Sequence, residues 1–116
     1  MRAEVECSKV NTKRAASLLK ALSNEKRLLV VCKLLKQELC VNELEKISNL
    51  SQSALSQHLA KLRSSGVVET RRNAQTIYYS VKEPIVHQLL ECLGTLFHEE
   101  ENAAHTETVI NTPLKN

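Results

Sequence analysis

Aspartate and tryptophan are absent from these 116 residues, glycine and proline occur twice each, and aromatic side chains make up 3%. So few turn formers leave little material for a loop-rich or all-β fold, and the chain reads as mainly helical. With Phe97, Tyr78 and Tyr79 as the only phenylalanine and tyrosines, the core falls to leucine, valine, isoleucine and alanine. A module that stacks RNA bases would need more aromatic surface. No glycine-rich phosphate loop, metalloprotease motif or nucleophile elbow is present, so an enzyme is not expected. No apolar run approaches the roughly 20 residues of a membrane span, and the polar N-terminus does not read as a signal peptide. Cys7, Cys32, Cys40 and Cys92 form no CxxC pair and read as reduced thiols of a cytoplasmic protein.

What is present is unevenly placed. The formal charge is +3 overall. Between Lys46 and Lys82, however, Lys46, Lys61, Arg63, Arg71, Arg72 and Lys82 face one acid, Glu69. From Glu83 to Glu107 there are glutamates and no lysine or arginine. A basic centre beside an acidic C-terminal segment suggests one surface for a polyanion and another for a different contact.

Residues 1–10 show no period and read as a flexible N-terminus, 11–101 as one domain, and 102–116 as a polar, disordered tail. Asn11 or Thr12 can cap a first helix running to Leu22. Ser23-Asn24 opens a second, whose stripe Leu28, Val31, Cys32 and Leu35 predicts a buried Cys32. A short third helix covers Val41 to Ile47, and Ser48-Asn49-Leu50-Ser51 forms a turn ending in an N-cap. The fourth helix runs from Gln52 to Ser65, stops at Gly66 and carries Leu55, Leu59 and Leu62 inward. Two extended runs, Val67–Arg72 and Thr76–Val81, predict a hairpin around a three-residue loop, Asn73-Ala74-Gln75. Pro84 starts a fifth helix. The expectation is a mainly α fold of about five helices with a two-stranded wing, a winged helix-turn-helix.

Opposite its leucines the fourth helix shows Gln52, Ser53, Ser56, Gln57, Ala60 and Ser64, flanked by Lys61 and Arg63. An ordinary solvated face would mix glutamate and lysine; amides and hydroxyls instead suit base edges in the major groove of double-stranded DNA. Lys61 and Arg63 would supply phosphate contacts, and the wing, residues 71–76, with Arg71, Arg72 and Gln75 would follow the backbone or enter the adjacent minor groove. His58 lies at the flank of this face, either packed and hydrogen-bonded or touching phosphate or base. The fifth helix has two apolar columns, 85/89/93/96 and 86/90/93/97, too broad for so small a core to cover. A homodimer is therefore expected, its interface using Leu18, Leu19, Val86, Leu89, Leu90, Leu93, Leu96 and Phe97. A two-fold dimer reads a palindromic operator. A dimeric protein-interaction adaptor without DNA affinity is the reading from another class.

The stretches from Leu50 to Arg63 and from Arg71 to Tyr79 resemble the ArsR/SmtB family of bacterial repressors, in its branch containing NolR, BigR and HlyU. The likeness covers about residues 14–98. It implies repression, a nucleoid-associated location, dimerisation through the first and last helices, and base reading by Gln52, Ser53, Ser56 and Gln57. It also raises the question of a switch. The Cys40 region resembles the family's metal-thiolate motif but has Asn42 in place of a second cysteine, a poor site for a thiophilic metal. Cys32 matches the first thiol of the redox-sensing members, whose second position here is His98. The zinc-sensing pattern is matched by His87, His98 and Glu101, with Ile85 replacing its aspartate. His87 and His98 lie about 16 Å apart on one helix, so only antiparallel pairing across a dimer could bring them to one zinc ion. The competing reading is a pair of interfacial histidines and no required cofactor.

Overall fold

The computed structural model describes residues 7–98. The expected tail at 102–116 lies outside the described residues, as do residues 1–6 of the expected flexible segment. Cys7–Lys9 form a single 3-10 turn. Five helices follow: α1 (Thr12–Leu22), α2 (Glu25–Lys36), α3 (Val41–Ser48), α4 (Gln52–Ser64) and α5 (Pro84–Leu96). Three strands, β1 (Leu39–Cys40), β2 (Glu69–Asn73) and β3 (Thr76–Ser80), make one antiparallel sheet in the order β1-β3-β2.

Local chemistry sets the helix starts. The Asn11 side chain accepts from Arg14 N, Asn24 from Lys26 N and Arg27 N, and Ser51 from Ala54 N, each satisfying amides that a first helical turn leaves unpaired. At α3 the Glu43 carboxylate reaches back to Cys40 N at 2.9 Å. The turn between α3 and α4 passes through Asn49 at φ 59°, a left-handed conformation that asparagine tolerates. Gly66, at φ 78°, ends the α4 segment and turns the chain into the hairpin.

The core joins Val30, Val31 and Leu34 of α2, Leu44 of α3, and Leu55, Leu59 and Leu62 of α4. Leu39, Val67, Val68 and Val81 join it around the sheet, and Val86 and Leu90 from α5. Truncating a fully buried member such as Leu55, on which α4 is seated, to alanine would cost about 2–5 kcal/mol.

Four expectations change. The two-stranded wing has a third strand, because Leu39 and Cys40 pair with Tyr79 and Tyr78. Cys32 is exposed rather than buried: the inward phase of α2 runs through Val30, Val31 and Leu34, one step from the expected stripe. Val86 and Leu90 are buried inside the subunit and have no surface left for a partner. Finally, Asn73 pairs with Thr76, so the hairpin loop has two residues, not three.

In that loop Ala74 has φ 60° and Gln75 does not share the positive sign, the φ pattern of a II′ turn, where glycine is preferred. Removing the Cβ strain by Ala74→Gly, less the entropy glycine adds to the unfolded chain, should raise stability by roughly 0.5–1 kcal/mol. A urea midpoint measured for both proteins checks this.

Candidate nucleic-acid interface

With Leu55, Leu59 and Leu62 buried, α4 turns Gln52, Ser53, Ser56, Gln57, Lys61 and Arg63 to solvent. Gln52 with Ser56, and Ser53 with Gln57, are one helical turn apart and form a compact four-residue patch on the first two turns. None of these four side chains makes a hydrogen bond among the described residues. The helix has no acid in its first turn, and Lys61 and Arg63 lie in its last. A neutral donor and acceptor surface, open and unspent, therefore sits between cationic flanks.

The sheet sorts the wing residues. On β3, Tyr79 packs against the core and shares a cleft with Ser56, Leu59, Ala60, Arg63 and Ser64 of α4. Strand alternation places Thr70, Arg72 and Ile77 on that same, helix-facing side. Arg72 is exposed and has no ion pair among the described residues. Arg71 stands on the opposite side, beside Tyr78. Its Nε donates to both Glu38 oxygens at 2.9 and 2.8 Å, its Nη2 lies 2.8 Å from Oε1, and its guanidinium sits 4.7 Å from the Tyr78 ring centre. The Arg71 hydrogen bond holds the Glu38 carboxyl below the usual carboxylate range. The two wing arginines thus differ: Arg72 is available to a polyanion, while Arg71 must first give up Glu38. Gln75 is exposed in the turn.

His58 is half-buried, and its Nδ1 lies 3.3 Å from Arg27 Nη1. Burial, then the positive charges of Arg27 and Lys61, hold its pKa below the ordinary histidine value. Arginine only donates, so Nδ1 accepts and the neutral ring carries its hydrogen on Nε2. Periodicity had no means of finding Arg27 or Glu38, since their contacts span 31 and 33 residues.

The switch candidates are not gathered. Among the described residues, no group of three or more His, Cys, Asp or Glu side chains is placed to hold a metal ion. His87 Nε2 is 2.8 Å from Val81 O, His98 is exposed beyond the end of α5, and Glu101 lies outside the described residues. Cys32 and Cys92 are exposed and Cys40 is half-buried.

On α5, at about 100° per residue, Ile85, Leu89, Cys92 and Leu96 fall within a narrow outward arc, while Val86 and Leu90 point to the core. Leu96 is 68% exposed, Phe97 74% and Leu19 of α1 56%. Leu18, Leu89 and Leu93 are half-buried against the core. Of the expected interface residues, those with most surface to offer are therefore Leu19, Leu96 and Phe97, while Leu18, Leu89 and Leu93 are partly covered by the core.

Residues 24–70 match the family described as bacterial regulatory protein, arsR family. The chain is 49% identical over 87 residues to the transcriptional activator HlyU of Vibrio cholerae, an alignment covering 75% of this chain and 81% of that protein. The crystal structure of the transcriptional repressor BigR from Xylella fastidiosa superposes with a TM-score of 0.72 at 44% identity, over 77% of this chain and 91% of that one. The homodimeric winged helix-turn-helix DNA-binding domain of Mb0332 from Mycobacterium bovis superposes at 0.69 with 25% identity, over 83% and 89% of the two chains.

Proposed function

Because this chain belongs to the bacterial ArsR family, and is thus a winged helix-turn-helix, DNA-binding transcriptional regulator rather than an enzyme, we propose that it represses transcription as a homodimer on an imperfect palindrome. The observation that carries this reading is the exposed patch of Gln52, Ser53, Ser56 and Gln57, whose hydrogen-bonding groups are unspent. In the major groove, a glutamine amide pairs in bidentate fashion with adenine. Lys61, Arg63 and Arg72 reach phosphates, the wing turn with Gln75 follows the backbone or adjacent minor groove, and Arg71 and His58 are held in reserve by their protein partners.

The exposed apolar arc of α5 with Leu19 supports the dimer, as does the homodimeric state named for the Mb0332 domain. Two-fold pairing would place the recognition helices about 34 Å apart, one turn of B-DNA. Repression draws on the likeness to BigR; HlyU is named an activator, so the sign of regulation is a separate measurement. Among the described residues no helix is long and apolar enough to cross a membrane, and the protein works in the cytoplasm on the nucleoid. One domain spans 11–101 in this reading.

The test is enrichment of duplexes from a random library, followed by affinity at two salt concentrations. An enriched palindrome whose binding weakens steeply with salt is expected. No enrichment would instead favour an interaction adaptor. Among the cations, Arg72→Ala, which removes one phosphate contact per subunit, should lower the salt slope of the dimer by about two and weaken all duplexes alike, whereas Arg71→Ala should change affinity less. Binding requires no resident metal here. A zinc-responsive regulator would join His87 of one subunit to His98 and Glu101 of the other, and a thiol-responsive one would use Cys32. Zinc with chelator, or oxidant with reductant, separates these from a constitutive repressor.

A further inference from the structure

Arg27 sits in the first turn of α2, yet its side chain serves two other helices. Nε donates to Ala21 O at 2.6 Å and Nη2 to Lys20 O at 3.4 Å, both carbonyls at the carboxyl end of α1, while Nη1 donates to Nδ1 of His58 on α4 at 3.3 Å. Every guanidinium nitrogen is engaged, and no carboxylate pairs with it among the described residues. The negative end of the α1 dipole compensates its charge instead, through Ala21 O and through Lys20 O, which also accepts from Ser23 N and Oγ. Half-buried, it is placed as a strut rather than as an exposed cation.

We propose that Arg27 is a positioning residue for DNA recognition: it ties the carboxyl end of α1 to the recognition helix through His58 and so fixes the angle at which Gln52, Ser53, Ser56 and Gln57 enter the groove. This rests on the DNA-reading function proposed above. Since α1 carries Leu19 on the expected dimer face, the strut also relates the reading helix to the two-fold axis. A planar fork can span a helix end and a ring at once; an ammonium cannot hold both. His58 needs only an acceptor at the Nδ1 position, which an asparagine oxygen supplies.

The test uses the full chain, a duplex enriched by the wild-type protein, and an unrelated duplex of equal length. Arg27→Met and Arg27→Lys should each weaken the enriched duplex by roughly tenfold or more, the worth of a hydrogen bond to a charged group. Affinity for the unrelated duplex and the salt slope should stay at wild-type values. In the NMR titration of Arg27→Met, the His58 ring should move up toward ordinary histidine behaviour. His58→Leu should reproduce the loss and His58→Asn should restore affinity to within about threefold; this pair remains decisive if Arg27→Met does not fold. Equal loss on both duplexes with a salt slope smaller by about two, one contact per subunit, would make Arg27 a phosphate contact and overturn the proposal. So would wild-type affinity of Arg27→Met, or a His58→Asn variant as weak as His58→Leu. If the wild-type protein enriches no duplex at all, the DNA-reading function itself falls, and this inference with it.

Discussion

The double variant Leu19→Glu/Leu96→Glu should sediment as a monomer and bind its operator at least a hundredfold more weakly. Both leucines are more than half exposed within one subunit, so the substitutions leave the core of Val30, Leu44, Leu55 and Leu59 untouched. In a two-fold dimer each change occurs twice, placing four carboxylates in an apolar seam where each unpaired charge costs several kcal/mol. Once the subunits separate, each half-site is bound alone, and the effective-concentration gain of the second half-site, about 10²–10⁴, is lost. Sedimentation equilibrium and gel shift on one preparation check both statements. A folded variant that stays dimeric with unchanged affinity would place the interface elsewhere.

Gln52→Ala and Gln57→Ala should abolish discrimination while leaving general DNA affinity in place. A bidentate amide contact is worth about 1–3 kcal/mol, or roughly 5- to 150-fold, and a symmetric complex makes each contact twice. Both side chains are neutral, so the salt slope should not move, in contrast to Arg72→Ala. Both are exposed and unbonded within the protein, so helix content and unfolding midpoint should hold. Competition between an enriched and a scrambled duplex provides the measurement. Retained preference in both variants would remove α4 from base reading.

Helix starts and the reading face were legible because each has a strictly local cause. Asn24 and Ser51 cap by bonding amides two or three residues on, and the α4 leucines recur at helical spacing around a neutral face. In α2 the run Leu28-Leu29-Val30-Val31-Cys32 is apolar at every position, so spacing alone does not fix its phase and predicts the wrong side for Cys32. On α5 two apolar columns were visible, but which one the subunit itself uses depends on where α4 and the sheet sit. Strand β1 has two residues and no period to detect. The unequal wing arginines follow from strand alternation combined with Glu38, a partner 33 residues away. Long-range pairs of this kind belong to the tertiary fold, and Arg27 with His58 is another.

Among the described residues the sheet ends in two open edges, and neither invites a further strand. β1 is too short to template one, and β2 carries Glu69, Arg71 and Arg72 along five residues. Charge and brevity of this sort oppose edge-to-edge polymerisation. At high protein concentration such edges let copies of the chain sit side by side without seeding aggregates.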